Sequence, residues 1–191
     1  MNFDSINHSV GFARRELIVV LVTLGILVVL AIPWWNNARL KSRSLCCNCN
    51  LKEIDLSFKV WSGDTNADGL FPMVVSTNSG GAKELVASQG PALVFQIMSN
   101  EIGSVKTLVC PADTREPAAD FVSIANTNVS YFVGIDANGS VPEMFLSGDR
   151  NITNGNVMPD NILELQPNSS VGWTHALHNH FGNIALVNGS V

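Results

Sequence analysis

The chain changes character twice along its length. Residues 17–32, LIVVLVTLGILVVLAI, carry no charge at all. That run is slightly shorter than the roughly 20 apolar residues that cross a bilayer core. Pro33, Trp34 and Trp35 extend it, and paired tryptophans suit a membrane interface. A core helix is rarely apolar all round over such a length, and a cleaved secretory signal needs a small-x-small site that IPWWNN does not supply. The run therefore predicts a transmembrane segment. Beyond it the pattern becomes periodic: Cys47, Leu51, Ile54, Phe58 and Trp61 step by four, three, four and three, which puts them on one helical face. Lys52, Glu53, Asp55 and Lys59 fall largely off that stripe. One helix is predicted from about Phe12 to Ser62, lipid-facing over residues 12–35 and amphipathic over 36–63. Pro33 bends such a helix rather than ending it.

From Asp64 to Val191 the pattern predicts a compact α+β head. Residues 82–101 read as helix, with Pro91 acceptable in a first turn. The short apolar runs 105–110, 129–134, 143–148 and 183–187 have strand length and are bounded by Gly, Pro, Asn or Asp. Strands grouped after helices and joined by short loops predict a small antiparallel sheet.

Composition narrows the function. Of 191 residues, 46% are hydrophobic and 14% charged, with a net charge of −5. There is no basic face to neutralise phosphates, so nucleic acid is not an expected partner. Three motifs invite a metal, each with a plainer reading beside it. Asp64, Asn66, Asp68 and Gly69 spell the opening of a calcium loop, but the twelfth position is Val75, where a bidentate glutamate is needed. A solvated turn fits better, and calcium stays a weak alternative. His175, His178 and His180 lie close enough in sequence to suggest zinc, although loop histidines more often serve as hydrogen-bond partners. Cys46, Cys47 and Cys49 lack the paired spacing of a zinc ribbon. No nucleophile elbow or phosphate-binding glycine loop occurs, so no enzymatic activity and no cofactor are expected.

Four features fall in register at the N-terminus. Gly11 is followed by the aromatic Phe12, Glu16 lies five residues after the glycine, the apolar helix follows, and Pro33 stands about two-thirds along it. In this the chain resembles type IV prepilins and the pseudopilins of type II secretion. The stretches CNLKEIDLSFKVWSGDTNADGLFPM (49–73), LVCPAD (108–113), SYFVGIDA (130–137), LSGDRN (146–151) and HNHFGNIALVNGSV (178–191) also resemble pseudopilin-like sequences. Their C-terminal pattern runs H…GN…DGSV. His178 matches its histidine, and Asn188 replaces its aspartate.

The resemblance implies a leader, residues 1–11, cut after Gly11 by a prepilin peptidase, with methylation of Phe12. It implies storage in the inner membrane as a single-pass protein, a periplasmic head, and assembly with sister subunits on an inner-membrane platform. It gives Glu16 an intersubunit role, pairing with the terminal amine of a neighbour's Phe12. Two other readings of Glu16 stand beside it: a charge favoured at a helix start, or a local pair with Arg14 or Arg15. The chain departs from the family at Ala13-Arg14-Arg15, where apolar residues are usual. Arginines at that depth snorkel to the interface. A periplasmic head would permit a disulfide between Cys47 on the stripe and Cys110 in the CPAD loop, with Cys46 or Cys49 as substitutes or two buried free thiols instead. The competing classes are a membrane-tethered periplasmic binding domain that never assembles and, behind it, a tethered metal-dependent hydrolase.

Overall fold

The computed structural model describes residues 14–64, 68–155, 162–166 and 169–191. It divides into two compact units, one ending at Arg39 and one beginning at Leu40. In the first, every described residue belongs to helix α1 (Arg14–Asp64). The stretch Arg14–Ile32 is long and apolar enough to cross a membrane. Its large apolar side chains, from Leu17 to Ile32, are exposed. A helix suits that environment because each backbone donor is satisfied within the segment. Even the one hydroxyl is satisfied locally, with Thr23 Oγ1 2.9 Å from the carbonyl of Val20 and 3.0 Å from that of Val19.

In the second unit α1 has one buried face. Cys47, Leu51, Ile54, Phe58 and Trp61 are all buried, while Leu45, Lys52, Leu56 and Val60 are exposed. Phe58 meets Phe71 edge-on at 5.9 Å and Phe95 at 6.4 Å, the aromatic centre of the core. Around it pack Met73, Met98, Ile102, Leu108, Tyr131, Leu146 and Ala185.

The predicted helix over 82–101 is two short ones, α2 (Val86–Gln89) and α3 (Pro91–Ile97). Gly90 between them takes φ 75°, a conformation open chiefly to glycine, and Pro91 begins the new helix. Asn126 holds the break: its Nδ2 donates to Gln89 O at 2.7 Å, and its Oδ1 accepts from Ala92 N at 3.0 Å.

The sheet is antiparallel, as expected, but smaller. Strand β1 (Tyr131–Val133) pairs with β2 (Phe145–Asp149), setting Tyr131 opposite Asp149. A separate two-stranded ribbon joins β3 (Ile152–Thr153) to β4 (Gly172–Trp173). Strand β5 (Ile184–Leu186) lies on the other side of β2, with a register irregularity between Phe145 and Ser147. The run 105–110 is not a strand. Residues Val105–Leu108 form a 3-10 turn, capped by Ser104, whose Oγ accepts from Lys106 N. Leu108 and Cys110 are both buried two residues apart, which imitates strand alternation.

Candidate functional site

The N-terminal candidates divide at the edge of the described residues. Gly11 and Phe12 lie outside them, as does Asn66. Glu16 occupies the first turn of α1, directly before the exposed apolar stretch, and α1 runs through Pro33. Asp64 ends α1, and Asp68 has φ 49° beside Gly69 at φ 78°, the geometry of a tight turn.

The richest chemistry lies where α1 meets the CPAD loop. Cys47 and Cys110 form a disulfide across 63 residues, with Cα atoms 5.2 Å apart. Asn50, one turn along α1, donates from Nδ2 to Val109 O at 3.2 Å. The loop thus has a covalent and a polar tie to the helix. Cys46 and Cys49 are free thiols on the exposed side. The remainder of the CPAD loop is pinned by Asp113, which takes Arg150 Nη2 on Oδ1 and Arg150 Nε on Oδ2, both at 2.7 Å. Ser130 Oγ also donates to its Oδ2 at 2.7 Å. Burial works to raise the Asp113 pKa, but the hydrogen bonds from Arg150 and Ser130 outweigh it and hold the carboxyl at about 2.

The three histidines do not converge. His175 and His180 stack edge to face at 5.4 Å in exposed positions, and His180 Nδ1 lies 3.2 Å from Trp173 O. His178 turns inward instead. Its ring has 6% exposure, with Nε2 3.3 Å from Cys110 Sγ and 3.6 Å from Asp149 Oδ2. Asp149 sits at the end of β2 with a fully buried side chain. Its Oδ2 accepts from Asn183 N at 2.8 Å and Asn183 Nδ2 at 2.9 Å, while Oδ1 is buried without a hydrogen-bond partner. Burial raises its pKa, opposed by the Asn183 hydrogen bonds and by His178. The donor atoms of Cys47, Cys110 and His178 lie within 4.8 Å of one another.

The loop that presents His178 is strained. His178, Asn179 and His180 take φ values of 47°, 53° and 69°, three left-handed residues in succession without glycine. Such residues persist only where the surroundings hold them. Asn151 is what holds them here: its Nδ2 lies 2.9 Å from Thr174 O, 3.0 Å from Leu177 O and 3.1 Å from Phe181 O. Its backbone carbonyl accepts from Thr174 N at 2.8 Å. Gly182 completes the turn, since an added Cβ would collide with the Trp173 indole.

The resemblance pointed to H…GN…DGSV, and His178, Gly182, Asn183 and Asn188 each have a local task. His178 reaches the disulfide, Gly182 admits Trp173, and Asn183 anchors Asp149. Asn188 Oδ1 accepts from Ser190 N at 2.9 Å and Ser190 Oγ at 2.7 Å, a turn that needs only an oxygen acceptor. Asp149, Arg150, Asn151 and Asn183 had no assigned role in the sequence. The signal was three consecutive polar residues, 149–151, closing the apolar run of β2.

Comparison with protein-family models, curated proteins and solved structures finds no match to this chain.

Proposed function

We propose that the chain is a structural subunit of a pilus or pseudopilus filament, anchored in the inner membrane and assembled through its N-terminal helix. The observation that carries the reading is the division of α1. Its first part exposes large apolar side chains on every side, from Leu17 to Ile32, behind a glutamate in the first turn. Such a surface must be covered. Lipid covers it before assembly, and sister helices cover it in a filament.

Glu16 gives the covering its register. A carboxylate drawn into an apolar bundle needs a cation beside it. Cutting the bond after Gly11 creates one, the terminal amine of Phe12, which a neighbouring subunit offers along the bundle. Arg14 and Arg15 compete for the same carboxylate. The Cys47–Cys110 disulfide supports a head in an oxidising compartment, as the periplasm is.

The test is Glu16→Gln in the full chain. Membrane insertion should be unchanged and incorporation into filaments lost. Incorporation at the wild-type level would contradict the proposal and favour a tethered domain that does not assemble.

A further inference from the structure

The group around the disulfide contains more than a structural staple uses. Cys47 and Cys110 need only each other, yet the His178 ring is buried against Cys110 with Asp149 beside it, and the loop carrying His178 is held in left-handed geometry. We infer that reduction of the Cys47–Cys110 disulfide opens a closed binding site for a zinc-type cation, with Cys47 Sγ, Cys110 Sγ, His178 Nε2 and the Asp149 carboxylate as ligands. This inference stands independently of the filament reading.

Three donors, Cys47 Sγ, Cys110 Sγ and His178 Nε2, already lie within 4.8 Å of one another, and Asp149 adjoins the group through His178. Zinc–sulfur bonds of about 2.3 Å and zinc–nitrogen or –oxygen bonds of about 2.0–2.2 Å give tetrahedral edges of roughly 3.3–3.8 Å. Cys110 Sγ to His178 Nε2 is 3.3 Å, and His178 Nε2 to Asp149 Oδ2 is 3.6 Å. The edge that must change is the disulfide itself, whose two sulfurs part when the bond is broken. Asp149 brings a buried oxygen, Oδ1, that accepts no hydrogen bond, the state of an acceptor awaiting a cation. Asn183 holds the same carboxylate through Oδ2, as outer partners orient metal ligands. All four side chains are buried, which suits a closed structural site and leaves no open position for a catalytic water.

The chemistry balances with a dithiol as reductant. The dithiol gives up two electrons and two protons as it closes its own disulfide. Cys47 and Cys110 take them up as thiols. The cation then displaces both thiol protons to solvent, and His178 binds as neutral imidazole through Nε2. A covalent link between α1 and the CPAD loop is thereby exchanged for a coordinate one.

The test uses the full chain in detergent micelles with Cys46→Ser and Cys49→Ser, so that no other thiols are present. The protein is reduced with a dithiol, freed of it anaerobically, and titrated with Co²⁺. The expected result is a thiolate-to-cobalt absorption band saturating at one equivalent, bleached by Zn²⁺ and absent from the unreduced protein. His178→Ala and Asp149→Asn should each weaken binding by more than about tenfold. No band in the reduced protein, equal binding without reduction, or full affinity in His178→Ala would each overturn the inference. Should His178→Ala fail to fold, the reduced-against-unreduced comparison decides alone.

Discussion

Helix α1 contains two stretches that both carry large apolar side chains and differ in how they use them. From Leu17 to Ile32 the apolar side chains point in all directions and none is buried. From Cys47 to Trp61 five of them, Cys47, Leu51, Ile54, Phe58 and Trp61, form one buried stripe, while Leu56 and Val60 face outward. The second stretch builds the core of the head. The difference shows that hydrophobic content alone does not say what a helix packs against; the angular distribution does. Among the described residues the first stretch is exposed, and the second packs within the head.

That contrast can be broken at either end. The largest effect should come from Phe58→Ala, which removes the ring meeting Phe71 and Phe95 and should cost roughly 3–5 kcal/mol of head stability. Leu27→Ala, an equally apolar site in the first stretch, should leave the head's chemical denaturation midpoint unchanged. A matched loss in both variants would erase the distinction. Replacing Cys47 and Cys110 together by serine opens a loop of 63 residues and should cost about 3–4 kcal/mol, read as a lower denaturation midpoint.

The acid response should come from the head as well. Asp113 is held below its ordinary value, so the unfolded chain binds the extra proton between about pH 4 and pH 2. Stability from this group is complete above that window and is lost as the pH falls through it, by about 2 kcal/mol. Asp149 is raised and works in the opposite sense, losing stability as pH rises above its ordinary range. Asp113→Asn should therefore flatten the slope between pH 4 and pH 2 in unfolding titrations while leaving the slope above it in place. The smallest effect should be a gain. Asn179→Gly relieves one left-handed residue, φ 53°, and should raise the unfolding free energy by no more than about 1 kcal/mol, read as a slightly higher midpoint.

The stripe of α1 was legible because helical periodicity survives in the sequence wherever one face is buried. Strands β1, β2 and β5 were legible as short apolar runs between turn residues. The 105–110 run misled because Leu108 and Cys110 alternate as a strand would, while the Ser104 cap that winds the backbone is a single hydroxyl contact. Strands β3 and β4 have two residues each, too few to leave a period. Within the site, the pairing of Cys47 with Cys110 could be weighed from the stripe, but alternatives stayed open because connectivity is a tertiary property. His178 could not be told from His175 and His180 by spacing. What separates them is Asn151, whose contacts with three carbonyls turn the loop and send one ring inward. A contact set between residues more than 20 apart has no local signature.

In the filament proposed for this chain, the exposed apolar stretch serves assembly after processing. Its most direct test is the N-terminus of the mature chain, determined by sequencing or intact mass on protein purified from membranes of cells with and without a prepilin peptidase. The account predicts a chain beginning at methylated Phe12 where the peptidase is present, and the leader retained where it is absent. An N-terminus at Met1 in both would contradict it and leave the helix as a simple anchor.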